Sequence, residues 1–371
     1  MRDLIVFGED FGGLPSSTQH LVTRLAKQRK VLWVNSIGLR QPKLNMHDVK
    51  RACGKLMGKS KGGYTDQREH HVNITVINLK TLPAPKSAFA RYIAKTLMRL
   101  QLKPVIEKLQ LHKPILWTSL PTAADLCGTL GESSVVYYCG DDFSSLAGVD
   151  HEVVKQHEDK LVEHADLILA ASAPLLAKFP QSKTHYLPHG VDTSLFSQPS
   201  QRATDLPSPN HKIAGFYGSL SNWLDYELIE QVCLANPNWQ FVFIGPIELP
   251  NYPLPKLANV HYLGPKPHRD LPSYSQHWDV SLLPFKSNGQ IASCSPLKLL
   301  EYFAAGCPVI TTPFPALSPY KALVSTVTDC KQFTEALNQL DRQSTSERQK
   351  SVINESWDAR TLKLNCMLES L

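Results

Sequence analysis

Residues 295–311, Ser-Pro-Leu-Lys-Leu-Leu-Glu-Tyr-Phe-Ala-Ala-Gly-Cys-Pro-Val-Ile-Thr, constrain the fold more than any other stretch of the chain. The pattern reads as a short amphipathic helix with a sharp stop, followed by a buried strand. Ser295 suits an N-cap and Pro296 the first helical position. Gly306 suits the left-handed position past the helix end, and Pro308 forbids continuation. Leu297, Leu300, Ala304 and Ala305 mark a core-facing side, while Lys298 and Glu301 share another face. Two readings fit that pair. It is either an exposed ion pair or part of a phosphate site, because free N–H groups and a cation converge at a helix N-terminus.

The chain around this stretch repeats one theme. Leu4–Phe7 is a short apolar strand, followed by a glycine-containing loop, Gly8-Glu9-Asp10-Phe11-Gly12-Gly13. Ser16 with Gln19 three residues on forms a capping box, which opens a helix to about Gln28. Val31–Val34 is the next strand. Strand, glycine loop, helix, strand begins a Rossmann-like half. The loop lacks G-x-G-x-x-G, so Gly12 and Gly13 serve either a tight turn or a ligand. Further strands are expected at residues 115–118, 135–139 and 167–171, with helices between them. Asp141 and Asp142 follow the second of these, at the strand end where open α/β sheets bind ligands; capping the next segment is the equal alternative.

A Pro-, Ser- and Gln-rich stretch at 197–210 reads as a linker. The pattern then restarts, with strands at 213–217, 241–244, 260–263 and 279–283 and a helix at 225–234. Turns with glycine follow the first three, at Gly218-Ser219, Gly245-Pro246 and Gly264-Pro265. The last segment, 346–371, reads as helical. A length of 371 residues accommodates about two such domains.

Charge is uneven although the net is only +6. Residues 40–61 carry seven basic side chains, from Arg40 to Lys61, against Asp48 alone. Within them, Gly54-Lys55-Leu56-Met57-Gly58-Lys59-Ser60 is one residue short of a P-loop and follows no strand, which excludes an NTPase reading. Residues 86–108 place Phe89, Ile93, Leu97 and Leu100 at helical spacing, with Arg91, Lys95, Arg99 and Lys103 interleaved. Such segments are either solvated faces or surfaces for an anionic bilayer. No recognised nucleic-acid module accompanies the charge, so no nucleic-acid partner is expected. His151, His157 and His164 invite a metal reading, but His157 and His164 lie about two helical turns apart, too far to share an ion. The eight cysteines are scattered, with no C-x-x-C pair, as expected of reduced thiols in a cytoplasmic protein. No apolar run reaches the roughly eighteen residues of a spanning helix, and the N-terminus reads as a strand rather than a leader.

The stretch from Pro296 to Pro308 resembles the donor-site signature of the GT-B glycosyltransferases, especially glycosyltransferase family four. Its Pro-Leu-Lys-Leu-x-Glu-Tyr form is similar to a polysaccharide-building subgroup that includes teichuronic-acid-type transferases. The resemblance implies a pair of glutamates spaced E-x7-E. Glu301 matches the second, which in the family binds the ribose of the nucleotide sugar; the first falls at Ser293. Gly12 and Gly13 match the loop that approaches the acceptor and donor phosphates. The loop of Asp141 and Asp142 corresponds to one carrying an acid or histidine beside the transferred sugar. Pro188-His189-Gly190-Val191-Asp192 resembles a Pro-Asn-Gly-Val-Asp turn that ends the N-terminal domain. The Gly218-Ser219 turn is implied to approach the diphosphate and the Gly264 turn the base. An Arg and a Lys usual after the first turn are replaced by Asn222, Trp223 and Asp225, which shifts weight to Lys298.

The resemblance implies a GT-B fold: two Rossmann-like domains facing across a cleft. These span 1–196, joined by a returning C-terminal helix within 346–371, and 211–345. It implies a retaining transferase that moves a sugar from a nucleotide-diphosphate sugar to a glycan or lipid-linked acceptor. Asp141 and Asp142 would be catalytic, and Gly218, Ser219, Gly264, Lys298 and Glu301 would bind the donor. No cofactor and no metal are expected, since no D-x-D triplet occurs. The basic segments extend a cytoplasmic reading to the inner face of the plasma membrane. The alternatives are a non-catalytic GT-B scaffold and a sugar-nucleotide epimerase or hydrolase.

Overall fold

The computed structural model describes residues 1–13, 16–37, 72–82, 85, 87–145, 150–340 and 344–371. The basic segment 40–61 lies outside these residues. The chain divides into two compact units, Met1–Pro188 with Arg360–Leu371, and His189–Ala359.

The first unit is built on a parallel sheet in the order β3-β2-β1-β4-β5-β6-β7. Its strands are β1 (Leu4–Phe7), β2 (Val31–Val34), β3 (Ile74–Ile77), β4 (Ile115–Thr118), β5 (Ser134–Cys139), β6 (Leu167–Ala170) and β7 (Thr184–Tyr186). β1 lies in register between β2 and β4, with Val6 opposite both Trp33 and Trp117. The central strands are buried on both faces, as parallel strands covered by helices must be. On one face Ile5, Phe7, Leu32, Val34 and Leu116 enter a common core. The sheet order reverses between β1 and β4, so the loops after these two strands flank the switch point where such sheets receive ligands.

The helix Ala88–Leu109 covers part of this sheet with Ala94, Met98 and Leu102. Its apolar residues Phe89, Tyr92, Leu97 and Leu100 are exposed instead. Arg91, expected on the solvated side, pairs with Asp125 at 2.7 Å. Residues 346–371, read as one helix, form two: Thr345–Ser351 and Trp357–Ser370. Arg360–Leu371 belongs to the first unit. There Arg29, buried, bonds the Glu369 carboxylate at 2.7 Å, and Arg2 donates to the Leu368 carbonyl.

The second unit has the order β10-β9-β8-β11-β12-β13, again parallel. β8 is Lys212–Tyr217, β9 Trp239–Ile244, β10 Val260–Tyr262, β11 Val280–Leu283, β12 Val309–Thr311 and β13 Ser325–Thr326. Gly215 must be glycine, because a Cβ there would overlap the Trp278 ring. The stretch 197–210 is no free tether. Leu206 is buried, Ala203 N–H donates to the Ser273 carbonyl at 3.0 Å, and Asp205 accepts from Lys266 (2.5 Å) and from the Tyr274 hydroxyl (2.8 Å). Its polar side chains find partners on the unit's own surface, an alternative to solvent that composition does not reveal.

The stretch that led the sequence analysis forms the helix Leu297–Ala304 and then β12. Gly306 takes φ +78°, and the N–H groups of Gly306 and Cys307 close on the carbonyls of Phe303 and Tyr302, both at 2.9 Å, a Schellman ending. Helix Thr345–Ser351 packs on that end: buried Arg348 donates to the Gly306 carbonyl at 3.2 Å, and Gln349 to Ala304. The start differs from expectation. Ser295 does not cap the helix; Pro296 holds the cap position without a side-chain bond, and the Ser295 hydroxyl accepts the His189 N–H at 3.4 Å. The helix is also buried more widely than its apolar stripe suggests. Leu299, Leu300, Tyr302 and Phe303 are all buried, each contributing about 1.5–3 kcal/mol of transfer free energy.

Candidate functional site

In the second unit, β8, β9 and β10 end side by side in glycine turns. Gly218, Gly245 and Gly264 have φ of +138°, +139° and +68°. Gly218 N–H donates to the Ile244 carbonyl at 2.8 Å, and Gly245 N–H to the Gly264 carbonyl at 3.0 Å. Gly245 is required sterically, since a Cβ would overlap the Gly218 carbonyl. Gly264 has open space around the place of a Cβ. The result is an edge of bare backbone at the carboxyl ends of three neighbouring strands.

Lys298, in the first turn of its helix, lays its side chain across Gly218: a Cβ there would collide with Lys298 Cε and lie 3.0 Å from Nζ. Residues eighty positions apart thus form one feature, a glycine turn with an ammonium over it. Ser219, beside it, is half-buried. Glu301, one turn further along the helix, is buried rather than exposed. Its Oε1 accepts from His268 Nε2 at 2.7 Å. His268 opens the short 3-10 turn after Gly264 and Pro267, and its ring stands edge-on to Phe196 with centroids 5.4 Å apart. The Tyr217 hydroxyl is also buried near this carboxylate. Burial, then the Glu301 charge, push that phenol well above its ordinary range.

Two places where the family pattern has charge are filled differently. Ser293 is the C-cap of the short helix Gly289–Ala292. Asp225 caps helix Tyr226–Ala235, accepting from Leu228 N–H at 3.1 Å. Next to it Lys286, with an exposed side chain, joins its backbone N–H to the Trp223 carbonyl at 2.8 Å. His268 escaped sequence reasoning, because it lies in no motif and meets Glu301 only through packing distant in sequence.

In the first unit, the loop after β1 is pinned from several sides. Phe11 N–H donates to Asn35 Oδ1 at 2.9 Å, and Gly12 N–H to Gln19 Oε1 at 3.0 Å. Ser16 Oγ caps the helix Ser17–Leu25 by accepting Gln19 N–H at 3.2 Å. The Gln19 side chain thus serves the glycine loop, with Gly12 at φ +75°. At the end of β5, Asp142 is heavily engaged. Its carboxylate accepts from Ser144 N–H and Oγ, from Ser145 Oγ and from Lys178 Nζ at 2.9 Å. Lys178 also binds buried Glu158 at 2.8 Å, which accepts the Tyr137 hydroxyl. Burial would raise the Asp142 pKa, but the Lys178 and Ser144 bonds outweigh it and lower it. Asp142 therefore fastens its turn, whereas Asp141 is exposed.

His151 and His164 bound helix His151–His164, and His157 is 2% exposed with neither ring nitrogen hydrogen-bonded. It lines a small pocket with Thr122 and Asp125 rather than sitting at the surface. Among the described residues no cluster of His, Cys, Asp or Glu is arranged for a metal ion. Among them, too, no helix is long and apolar enough to cross a membrane.

Residues 211–342 match the family described as Glycosyl transferases group 1. TuaH of Bacillus subtilis (strain 168), provisionally assigned as a teichuronic acid biosynthesis glycosyltransferase, is 27% identical over 278 residues, covering 68% of this chain and 70% of TuaH. Among solved structures, Anabaena HepE in complex with UDP and glucose superposes with TM-score 0.68 at 12% identity, covering 100% of both chains. Sucrose-phosphate synthase from Thermosynechococcus elongatus gives 0.64 at 15%, covering 100% of this chain and 99% of that one. Two Rossmann-like units with this likeness have the GT-B fold. The match to the group 1 glycosyl transferases falls within the second unit, and the chain is similar to TuaH over about two thirds of its length.

Proposed function

We propose that this glycosyltransferase moves a sugar from a nucleotide-diphosphate sugar to a glycan or lipid-linked acceptor in polysaccharide biosynthesis, with retention of configuration. The observation that carries the reading is Lys298 lying across the Gly218 turn while Glu301 stands one helical turn away. A diphosphate at this turn would meet the Ser219 backbone N–H and an ammonium together. A ribose near Glu301 would meet a carboxylate held by His268, and a base would lie over the open Gly264 turn. HepE, solved with UDP-glucose, and TuaH, assigned to teichuronic acid biosynthesis, support the donor class and the pathway class.

In this reading Asp141 serves the sugar-transfer end of the reaction and Asp142 fixes the loop that carries it. Gly12 and Gly13 belong to the acceptor side. Lys298, the helix N-terminus and the Ser219 amide supply the positive charge that a metal ion supplies elsewhere, so turnover persists without divalent ions. The exposed Phe89, Tyr92 and Leu100 beside Lys95, Arg99 and Lys103 suit the cytoplasmic face of an anionic membrane, where a lipid-linked acceptor resides.

The test is incubation of the protein with sugar-labelled nucleotide sugars and a membrane extract, in excess EDTA. Label entering lipid or glycan supports transfer. Label released only as free or epimerised sugar assigns the hydrolase or epimerase alternative, and label left wholly in the donor assigns the scaffold.

A further inference from the structure

We propose that His268 is a positioning residue that holds the Glu301 carboxylate toward the donor's ribose and so makes the enzyme selective for ribonucleotide over deoxyribonucleotide donors. This rests on the reading of Glu301 as the ribose contact. Nothing in the sequence pattern around His268 marks it, but its geometry does. His268 Nε2 lies 2.7 Å from Glu301 Oε1, a charge-assisted hydrogen bond to a buried carboxylate. The imidazole does not wander, because its ring packs edge-on against fully buried Phe196 and its backbone starts a 3-10 turn behind Pro267. A rigid donor on a rigid turn therefore sets the rotamer of Glu301.

The buried Tyr217 hydroxyl is a second donor beside the same carboxylate. Without His268, the pull of this phenol on Glu301 would be unopposed and would turn the carboxylate away from the ribose hydroxyls. The place of His268 in the fold adds to the case. It follows the Gly264 turn at the end of β10, so one segment carries both the proposed base platform and the residue that orients the ribose contact.

The experiment is calorimetric titration of the full chain with uridine diphosphate and 2′-deoxyuridine diphosphate, repeated with the adenosine and guanosine pairs. Wild type is expected to bind the ribonucleotide about tenfold or more tightly than its deoxy counterpart, the scale of one hydrogen bond to a charged group. His268→Ala should bring that ratio near one while deoxynucleotide affinity stays within about threefold. His268→Gln, whose amide nitrogen can donate from the same place as Nε2, should restore most of the ratio. A purely structural role would weaken both nucleotides alike and leave the ratio intact; that outcome, or an unchanged His268→Ala, overturns the inference. Wild type binding no nucleoside diphosphate of the panel removes the donor-site reading itself, and the inference with it.

Discussion

At the scale of single residues, the site depends on what is missing as much as on what is present. Gly218 has no Cβ, and the Lys298 side chain occupies that space. Gly218→Ala would push the lysine away and strain a backbone at φ +138°. We expect nucleotide affinity to fall about tenfold or more, read by calorimetry, with the fold retained. Lys298→Ala should act differently. Charge on the departing diphosphate grows toward the transition state, so turnover should fall more than donor affinity does. Steady-state kinetics in EDTA would show it; equal losses in kcat and affinity would make Lys298 an ordinary binding residue. Lys298 and Gly218 were each readable in the sequence, as a helix start and a post-strand glycine, and the family resemblance put both at the diphosphate; the side chain lying directly across the glycine comes only from the fold. The Ser295 hydroxyl shows the same limit: a sound local cap went instead to an N–H more than a hundred residues away.

At the scale of elements, the packing of helix Ala88–Leu109 against the Pro121–Leu126 turn and helix His151–His164 is set by charge. Asp125 is buried and bonded by Arg91 at 2.8 Å and 2.7 Å and by Lys160 at 2.7 Å. Burial alone would raise its pKa, but these bonds win and hold it at about 2, against an ordinary 3.8. A carboxyl lowered on folding stabilises the fold above its unfolded pKa and loses that contribution as pH falls from about 3.8 toward 2. The amount is roughly 2 kcal/mol. Denaturant titrations should therefore show stability dropping through that window, and Asp125→Asn should flatten the drop. His157 acts higher on the scale: burial, then Arg91 and Lys160, lower its pKa, so stability declines as pH falls below the ordinary 6.5. The elements most legible in sequence were the strands buried on both faces, β1, β2 and β4, whose apolar runs leave little choice. β3 and β7 were not legible: β3 is largely half-exposed and β7 has only three residues, so neither carries a strong pattern.

At the scale of the whole molecule, the two-unit α/β organisation follows from a strand, glycine-turn and helix pattern that stops and restarts. That periodicity is a property of long stretches and survives errors at individual caps. Where the linker composition suggested a loose tether, hydrogen bonds from Asp205, Ser200 and Ala203 fasten it to the second unit. Surface chemistry adds one prediction at this scale. The protein should sediment with anionic vesicles and release with added salt, because attraction to lipid headgroups is screened. Phe89→Ser with Leu100→Ser should reduce binding severalfold at low salt. Equal sedimentation with neutral and anionic vesicles would remove the electrostatic part of the reading. We expect the second unit to receive a nucleoside diphosphate between the Gly218 turn and Glu301, and titration of wild type and Glu301→Ala with nucleoside diphosphates in a calorimeter checks it. One binding site is expected in the wild type, at least tenfold weaker in the variant, with the variant's unfolding transition still cooperative. Equal affinity in the two proteins would contradict it.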